Sequence, residues 1–199
     1  MKSKKYNNPS ITINKVYTKT GDSGYTSIVG GHKFIKSDLR IEVFGEIEHL
    51  NCSIGSCISN LNRSPSNANV YDYLILLQNE LFNLGNMIST LNEDLNSKMP
   101  SIDDNSIKQM EIQIDSLNAN LPTLKSFVLP GGSRLSVQFN LSRTICRRCE
   151  RLTVQLSNEE EIDSIVVKYL NRLSDFLFVL GRWSNCEEGI SENLWNPNY

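Results

Sequence analysis

Residues Leu74 to Ile88 read L-I-L-L-Q-N-E-L-F-N-L-G-N-M-I, and a branched apolar residue recurs at every third or fourth position. This spacing places the recurring residues on one face of an α-helix. A half-buried strand would instead alternate apolar and polar residues, which this stretch does not do. The stretch therefore predicts an amphipathic helix that packs against other helices. The recurring positions are Leu74, Leu77, Leu81, Leu84 and Ile88.

One segment before this stretch and three after it show the same helical period, and strand signals are weak throughout. Five amphipathic helices with mostly short connections predict an all-α fold, a five-helix bundle over residues 37–185. Residues 1–36 are predicted to form a tail and loop, and 186–199 an irregular tail of the same single domain. The predicted N-cap of the first helix is Ser37 or Asp38, that of the third is Ser101, and that of the fourth is Ser133. Pro122 is predicted to end the third helix. The last two helices are predicted to span about 134–157 and 159–184.

The predicted fourth helix contains the sequence R-T-I-C-R-R-C-E-R, from Arg143 to Arg151. Arg143, Arg147 and Arg151 recur at i, i+4 and i+8, so they project from nearly one face. Guanidinium groups bind phosphate oxygens bidentately, so a polyphosphate would offset the mutual repulsion of this stripe. The stripe predicts either a polyphosphate site or a solvated helix face with one Arg–Glu pair.

Residues 18–27 read T-K-T-G-D-S-G-Y-T-S and match neither a Walker A loop nor G-x-G-x-x-G. Gly21 and Gly24 can take positive φ, which lets consecutive backbone N–H groups point at one anion. Lys19 adds a positive charge, and several hydroxyl side chains surround it. The stretch predicts either a phosphate-binding loop or an ordinary surface turn.

Composition limits the function classes that this chain of 199 residues can belong to. The net charge of −2 and the pI of about 5.8 argue against a general nucleic-acid-binding protein. No run of 18 apolar residues predicts a membrane span. The N-terminus is basic but lacks the apolar core of a secretory signal. We therefore expect a cytoplasmic protein, or a protein of the mitochondrial matrix if a presequence has been removed.

The chain has five cysteines, an odd number that is typical of free thiols in a reducing compartment. Cys146 and Cys149 form a C-x-x-C motif, which together with Cys52 and Cys57 could make a zinc site. The motif lies in a predicted helix rather than in the turn of a zinc knuckle, which favours small, partly buried side chains instead. Its cationic neighbours predict lowered thiol pKa values.

Two further features allow both a structural and a functional interpretation. Asn171 and Asp175 lie four residues apart among large apolar residues, which favours a buried hydrogen-bonded pair over a ligand site. Phe127 precedes a Pro-Gly-Gly turn and either fills the core or lines a pocket. With only His32 and His49 in the chain, acid–base catalysis by histidine has few candidates, so positioning and electrostatics would dominate in an enzyme.

These motifs together resemble one family, the PduO-type ATP:cob(I)alamin adenosyltransferases. The resemblance rests on five motifs in the family's order and covers about residues 15 to 184. They are T-K-T-G-D-S-G-Y-T-S, F-G-E-I-E-H-L-N, F-V-L-P-G-G-S, S-R-T-I-C-R-R-C-E-R and Y-L-N-R-L-S-D-F-L-F.

The resemblance implies a five-helix bundle that forms a homotrimer with active sites between subunits. It also implies transfer of the 5′-deoxyadenosyl group of ATP to cob(I)alamin, which releases triphosphate. Mg²⁺ would act mainly through the ATP phosphates, and the resemblance leaves any protein ligands of the metal unknown. A corrinoid reductase and an adenosylcobalamin-dependent mutase would be further partners. We expect neither a nucleic acid nor a membrane as a partner.

The resemblance also assigns roles to individual residues. Phe127 matches the aromatic residue that displaces the lower axial ligand of cobalamin, which leaves a four-coordinate cob(II)alamin. Arg143 matches the arginine that pairs with an acid of the first helix, here Glu48. These three residues and Arg147 form the implied catalytic set. The implied ATP-binding residues are Thr18, Lys19, Thr20, Gly21, Thr26, Ser27, Lys36, Arg147, Arg148, Glu150, Arg151 and Asn171.

The chain departs from the family's pattern around the implied corrinoid side. The usual D-E-L-N is E-H-L-N here, with Glu48 in place of aspartate and His49 in place of the next acid. Asn140 replaces a histidine and Cys149 an alanine. An alternative function is therefore a trimer that binds ATP or adenosylcobalamin with weakened catalysis and carries the cofactor to a mutase. A helical interaction module is a third alternative.

Overall fold

The computed structural model describes Tyr17, residues 19–61 and residues 63–198. This part of the chain contains five long α-helices, so the predicted all-α bundle is confirmed. None of these helices is long and apolar enough to cross a membrane. The helices are α1 (Leu39–Asn60), α2 (Ala68–Ile88), α3 (Asp104–Asn118), α4 (Arg134–Glu159) and α5 (Ser164–Glu187).

The helices pack in the spatial order α2, α1, α4, α5, α3, with α4 and α5 in the most extensive contact. The apolar stripe of α2 is fully buried from Leu74 to Ile88, as its spacing predicts. Burying one leucine or isoleucine side chain contributes about 1.5–3 kcal/mol, so this stripe is a major source of stability. Tyr73 of α2 meets Phe176 of α5 edge to face, with ring centroids 5.3 Å apart.

The observed N-caps explain where the helices begin. Asp38 caps α1 and accepts a hydrogen bond from the backbone N–H of Arg40, which settles the choice between Ser37 and Asp38. Ser133 caps α4 as predicted, since its hydroxyl accepts a bond of 3.0 Å from the N–H of Ser136.

Two predicted helix starts are wrong. The third helix begins at Asp104 rather than after Ser101, because the carboxylate of Asp103 accepts a bond from the N–H of Ser106. The fifth helix begins at Ser164 rather than near 159, because Asp163 caps it and the connection before it has extended backbone. An aspartate at the cap position determined both starts.

The segment before α1 contains a small hairpin, where the sequence predicted only a loop. Strands β1 (Tyr25–Ser27) and β2 (Lys33–Ile35) pair antiparallel, with Thr26 opposite Phe34. Strands of three residues are too short for alternation to show in the sequence. The hairpin tip is fixed to the bundle, because the N–H of Val29 donates a bond of 3.1 Å to the carbonyl of Ser89 at the end of α2.

The C-terminal tail packs along the segment before α4. The N–H of Trp195 donates a bond of 2.7 Å to the carbonyl of Phe127, and Leu129 bonds Asn193 in return. The nearly buried Arg182 of α5 pairs with Glu192 at 3.0 Å. The tail therefore has an ordered position beside Phe127, although it has no helix.

Candidate functional site

The hairpin and the turn before it enclose one side of an open cavity of about 740 Å³. Its walls carry hydroxyl groups and two lysine side chains, a combination that suits an anion with many oxygen atoms. The lining residues are Thr20, Gly21, Ser23, Tyr25, Thr26, Ser27, Lys33 and Lys36.

The backbone of this turn explains its glycines. Gly24 has a φ of 86°, a conformation that glycine adopts without strain, and its carbonyl accepts a bond of 2.8 Å from the N–H of Lys36. A Cβ atom on Gly21 would lie 3.1 Å from Nζ of Lys36. The absence of a side chain at Gly21 therefore leaves room for the ammonium group beside the turn. Lys19 also has a positive φ, of 61°, which is uncommon for a residue with a side chain.

Most of the implied ATP-binding residues of the N-terminal loop therefore line one cavity. Thr18 lies outside the described residues, and Lys19 belongs to the turn without lining the cavity. This geometry is compatible with the predicted phosphate-binding loop, since lysine side chains, hydroxyl groups and a glycine-containing turn line the same cavity. A surface turn without a ligand would not need this convergence.

The arginines of α4 divide into two groups. Arg147 and Arg151 are exposed, and their only mutual contact is a bond of 3.0 Å from the Arg151 guanidinium to the carbonyl of Arg147. Arg148 points toward α1, where it pairs with Glu42 at 2.9 Å and with Glu46 at 3.2 Å. Arg147 and Arg151 are thus available to an anionic ligand, whereas Arg148 is engaged by two carboxylates.

Glu48 and Arg143 do not form an ion pair within the described part of one chain. The guanidinium carbon of Arg143 lies 5.5 Å from the ring centroid of Phe178 on α5. Glu48 is exposed on α1 and lines a small apolar pocket with Phe44 and Phe82. The two opposite charges therefore have different neighbours within one chain.

Asn171 and Glu150 lie together at the edge of a second cavity, of about 640 Å³, between α4 and α5. The amide of Asn171 donates a bond of 3.1 Å to the carboxylate of Glu150. The prediction of a buried Asn171–Asp175 pair is wrong, since both side chains are exposed and Asp175 pairs with Arg172. The helix turns these positions outward because their apolar neighbours occupy the buried face.

Phe127 is 78% exposed, so it does not fill the core. Its ring lies 6.1 Å from that of Trp195 in the tail, at an interplanar angle of 62°. The turn after it is held by Asn185, whose amide oxygen accepts a bond of 2.8 Å from the N–H of Ser133. Gly132 has a φ of 94°, and a Cβ atom there would lie 2.2 Å from this oxygen. These contacts hold an exposed aromatic ring at a fixed place.

The buried cysteines are unlike reactive or metal-binding thiols. Burial raises the pKa of Cys149 to about 12 and that of Cys146 well above its usual range, so the predicted lowering by nearby arginines is wrong. Both side chains are fully buried, more so than predicted, and Cys146 donates to the carbonyl of Leu170. Within the described residues no converging group of potential metal ligands includes a cysteine.

The implied site residues thus form two sets on the surface of one chain. The first set surrounds the hairpin cavity, and the second lies on α4 and α5 around Glu150 and Asn171. The two cavities share no lining residue. A single chain therefore presents two partial sites.

Comparison with known proteins identifies the family to which these features belong. The family model described as cobalamin adenosyltransferase matches residues 16–184. The corrinoid adenosyltransferase of Bacillus subtilis is 40% identical, with 89% of this chain and 90% of that protein covered. The chain belongs to the cobalamin adenosyltransferase family. The corrinoid adenosyltransferase of Homo sapiens is 33% identical, with 94% of this chain and 75% of that protein covered.

Solved structures of the cobalamin adenosyltransferase family agree with this fold. A variant of the PduO-type ATP:corrinoid adenosyltransferase from Lactobacillus reuteri, complexed with cobalamin and ATP, superimposes with a TM-score of 0.86. It is 34% identical, and 92% of this chain and 99% of that chain are covered. A second variant of that enzyme, complexed with ATP, has a TM-score of 0.84 and 32% identity over 91% of this chain and 100% of that one. The family resemblance of the five motifs is confirmed.

Several residues around the site of this cobalamin adenosyltransferase family member were not predicted from the sequence. Lys33 and Ser23 line the hairpin cavity, and the alternating strand pattern around Lys33 was too short to place it there. Asn185 holds the turn after Phe127, yet it lies on α5 more than fifty residues away. The contact of Trp195 could have been predicted, because a tryptophan side chain has a large apolar surface that is stabilised by packing against other residues.

Proposed function

We propose that this protein transfers the 5′-deoxyadenosyl group of ATP to cob(I)alamin. The cobalt(I) electron pair forms a bond to C5′ of ATP as the C5′–O bond breaks. The oxygen keeps the electrons of the broken bond and leaves with triphosphate, and the cobalt of the product is formally cobalt(III). The substrate supplies the nucleophile, so the protein must align C5′ with cobalt and neutralise the leaving group.

The observation that carries this proposal is the hairpin cavity with its lysines, hydroxyls and open glycine turn. Triphosphate carries several negative charges, and Lys33 and Lys36 both line the cavity. The exposed guanidinium of Arg147 would form a further bidentate contact with phosphate oxygens. Mg²⁺ would join through the ATP phosphates, with the threonine and serine hydroxyls of the cavity as oxygen ligands of the kind it prefers.

A homotrimer would unite the two partial sites. The described helices leave large apolar side chains on the surface, among them Phe82 at 75% and Leu141 at 57% exposure. Exposed apolar residues on the outer faces of several helices favour association with further copies of the same chain. If α4 of one protomer faces the hairpin of its neighbour, the second set of site residues closes the ATP cavity.

The same association accounts for Glu48 and Arg143. Glu48 is exposed and Arg143 is half-buried, and an opposite charge on a neighbouring protomer would compensate each of them at the interface. Burying the pair between protomers makes its loss costly, because the remaining charge is left unpaired. We therefore propose that Glu48 of one protomer pairs with Arg143 of the next and orders the corrinoid pocket.

Phe127 is the candidate for contact with the corrinoid. A fixed and exposed aromatic ring has apolar surface available for the lower face of a planar macrocycle, where it would displace the axial ligand of cob(II)alamin. Trp195 and Asn185 support its position. A corrinoid reductase would supply the electron that gives cob(I)alamin, and a mutase that uses adenosylcobalamin would receive the product.

An anaerobic assay with ATP and chemically reduced cobalamin tests this function. The visible spectrum should change to that of the alkylated corrinoid, at a rate that depends on ATP and on the protein. A protein that binds both substrates without this spectral change would instead be a carrier, and the proposed transfer would be wrong. Arg147→Ala is the matched variant, because the loss of this exposed side chain leaves the bundle intact while lowering the rate.

A further inference from the structure

The hairpin tip carries a group of side chains that adenosyl transfer does not use. Nε2 of His32 lies 2.7 Å from Oδ2 of Asp94 and 3.4 Å from Oε1 of Glu93. His32 precedes β2, whereas the two acids lie in a 3₁₀ turn, Asn92–Asp94, after α2. The three ligand atoms lie within 4.8 Å of one another. In the part of the chain that the structure describes, these residues are the only such convergence of histidine, cysteine and carboxylate groups.

The geometry and charge of this group match those of a small divalent cation site. Tetrahedral ligands about 2.1 Å from zinc lie roughly 3.4 Å from one another, a spacing that His32 and Glu93 already have. His32 and Asp94 would separate by about 0.7 Å, which side-chain rotation can supply. Two carboxylates beside a neutral imidazole carry two negative charges, which a divalent ion compensates.

The surroundings fix these ligands on two separate segments. A Cβ atom on Gly30 would lie 2.2 Å from Oδ2 of Asp94, so the carboxylate packs closely against the hairpin backbone. Gly30 has a φ of 82°, which a glycine adopts without strain. Beside it, the N–H of Val29 bonds the carbonyl of Ser89. The hairpin that bears the proposed ATP cavity therefore contacts the bundle through this group.

We propose that His32, Glu93 and Asp94 form a site for a divalent transition metal of the zinc class, which fastens the nucleotide hairpin to the end of α2. Imidazole together with carboxylates favours zinc over magnesium, which prefers oxygen ligands alone. The partial exposure of His32 and Asp94, 34% and 28%, leaves a fourth position open to water. The link to nucleotide binding rests on the proposed function, whereas the metal site itself does not.

A metal titration without ATP or cobalamin tests the site, so its failure leaves the proposed adenosyl transfer untouched. Zinc is titrated calorimetrically, and cobalt(II) reports the ligand type through its visible spectrum. The wild-type protein should bind one equivalent per chain with nitrogen and oxygen ligands. His32→Gln should lose at least about tenfold in affinity, since even an outer-shell change commonly costs that much. His49→Gln is the matched control, because His49 is the only other histidine, and it should bind as the wild type does.

Equal zinc affinity in folded wild type and His32→Gln would overturn the site, as would thiolate absorption with cobalt or no binding at millimolar metal. Asp94→Asn gives a second variant, expected to lose affinity in the same way. Amide hydrogen exchange of Val29 tests the fastening. Zinc at ten times its Kd should make the opening that exposes this amide about tenfold rarer in the wild type and leave His32→Gln unchanged. Unchanged exchange in the zinc-bound wild type would overturn the fastening role.

Discussion

Replacing Arg147 with alanine separates nucleotide binding from stability more sharply than any other single change in this site. The side chain is exposed and has no side-chain partner among the described residues. Its loss should therefore change the free energy of unfolding by less than about 0.5 kcal/mol. A charge-assisted, bidentate contact to phosphate contributes about 1.5–3 kcal/mol, so the Kd for ATP should rise by a factor of about 10 to 150.

The neighbouring Arg148 supplies the matched comparison, because it is engaged with Glu42 and Glu46 of α1. Arg148 is about half exposed, which weakens the ion pairs, but Glu46 is only 14% exposed and its buried Oε2 atom has no hydrogen bond among the described residues. Arg148→Ala should therefore destabilise the fold by about 1–2 kcal/mol. Arg147→Ala should thus change mainly the affinity for ATP, and Arg148→Ala mainly the free energy of unfolding.

Calorimetric titration with ATP and urea unfolding of the wild type and both alanine variants provide the two measurements. Arg147→Lys adds a control that keeps the charge but loses the planar fork, and it should recover only part of the affinity. An ATP Kd within twofold of the wild-type value in folded Arg147→Ala would refute the assignment of the exposed arginine to the triphosphate. A large loss of stability in that variant would show that its side chain has a structural role.

Four further predictions follow from individual contacts. Phe127→Ala should keep ATP affinity but reduce the four-coordinate cob(II)alamin seen spectroscopically, and equal amounts in both proteins would remove Phe127 from the corrinoid site. Asn185→Ala should cost about 1–3 kcal/mol in urea unfolding, because the N–H of Ser133 loses its buried partner; an unchanged midpoint would argue against this role. In a double-mutant cycle, Glu48→Gln and Arg143→Met should couple by about 0.5–3 kcal/mol in cobalamin affinity, and a value near zero would reject the pair between protomers. Burial raises the pKa of Cys149 to about 12, against 9.0 for a free thiol, so the buried thiol's contribution to the free energy of unfolding is fully present below pH 9 and declines above it by at most about 1.4 kcal/mol per pH unit. Cys149→Ala should therefore show a shallower decline of the free energy of unfolding with pH, and a decline identical to that of the wild type would contradict the burial argument.

The helices were predictable because each carries a long apolar stripe. The stripe of α2 alone contains five side chains at regular spacing, and all of them are buried. Helix starts were less predictable where several polar residues compete for the cap. Asp103 rather than Ser101 caps α3, since Asp103 directly precedes the helix with extended backbone and its carboxylate accepts a bond from the N–H of Ser106. Local propensity does not decide between such neighbours.

The site was predictable as motifs but not as geometry. Glycines, lysine and hydroxyls in one short segment indicated the hairpin cavity, because those residues are close in sequence as well as in space. Asn185 and Trp195 contact the Phe127 turn from far along the chain, and no periodic pattern links them to it. The thiol of Cys149 shows the opposite difficulty: arginines adjacent in sequence suggested a lowered pKa, but burial has the larger effect.

The two partial sites of one chain should form one catalytic site between copies. Subunit mixing tests it directly, with a hairpin variant, Lys36→Ala, and a helix variant, Arg147→Ala, co-assembled from differently tagged chains. If each site takes its hairpin from one protomer and α4 from the next, about one quarter of the sites in a random mixture contain neither substitution. Adenosylcobalamin formation should then recover to about one quarter of the wild-type rate, far above either variant alone. A mixture no more active than the average of the two variants would contradict the shared site.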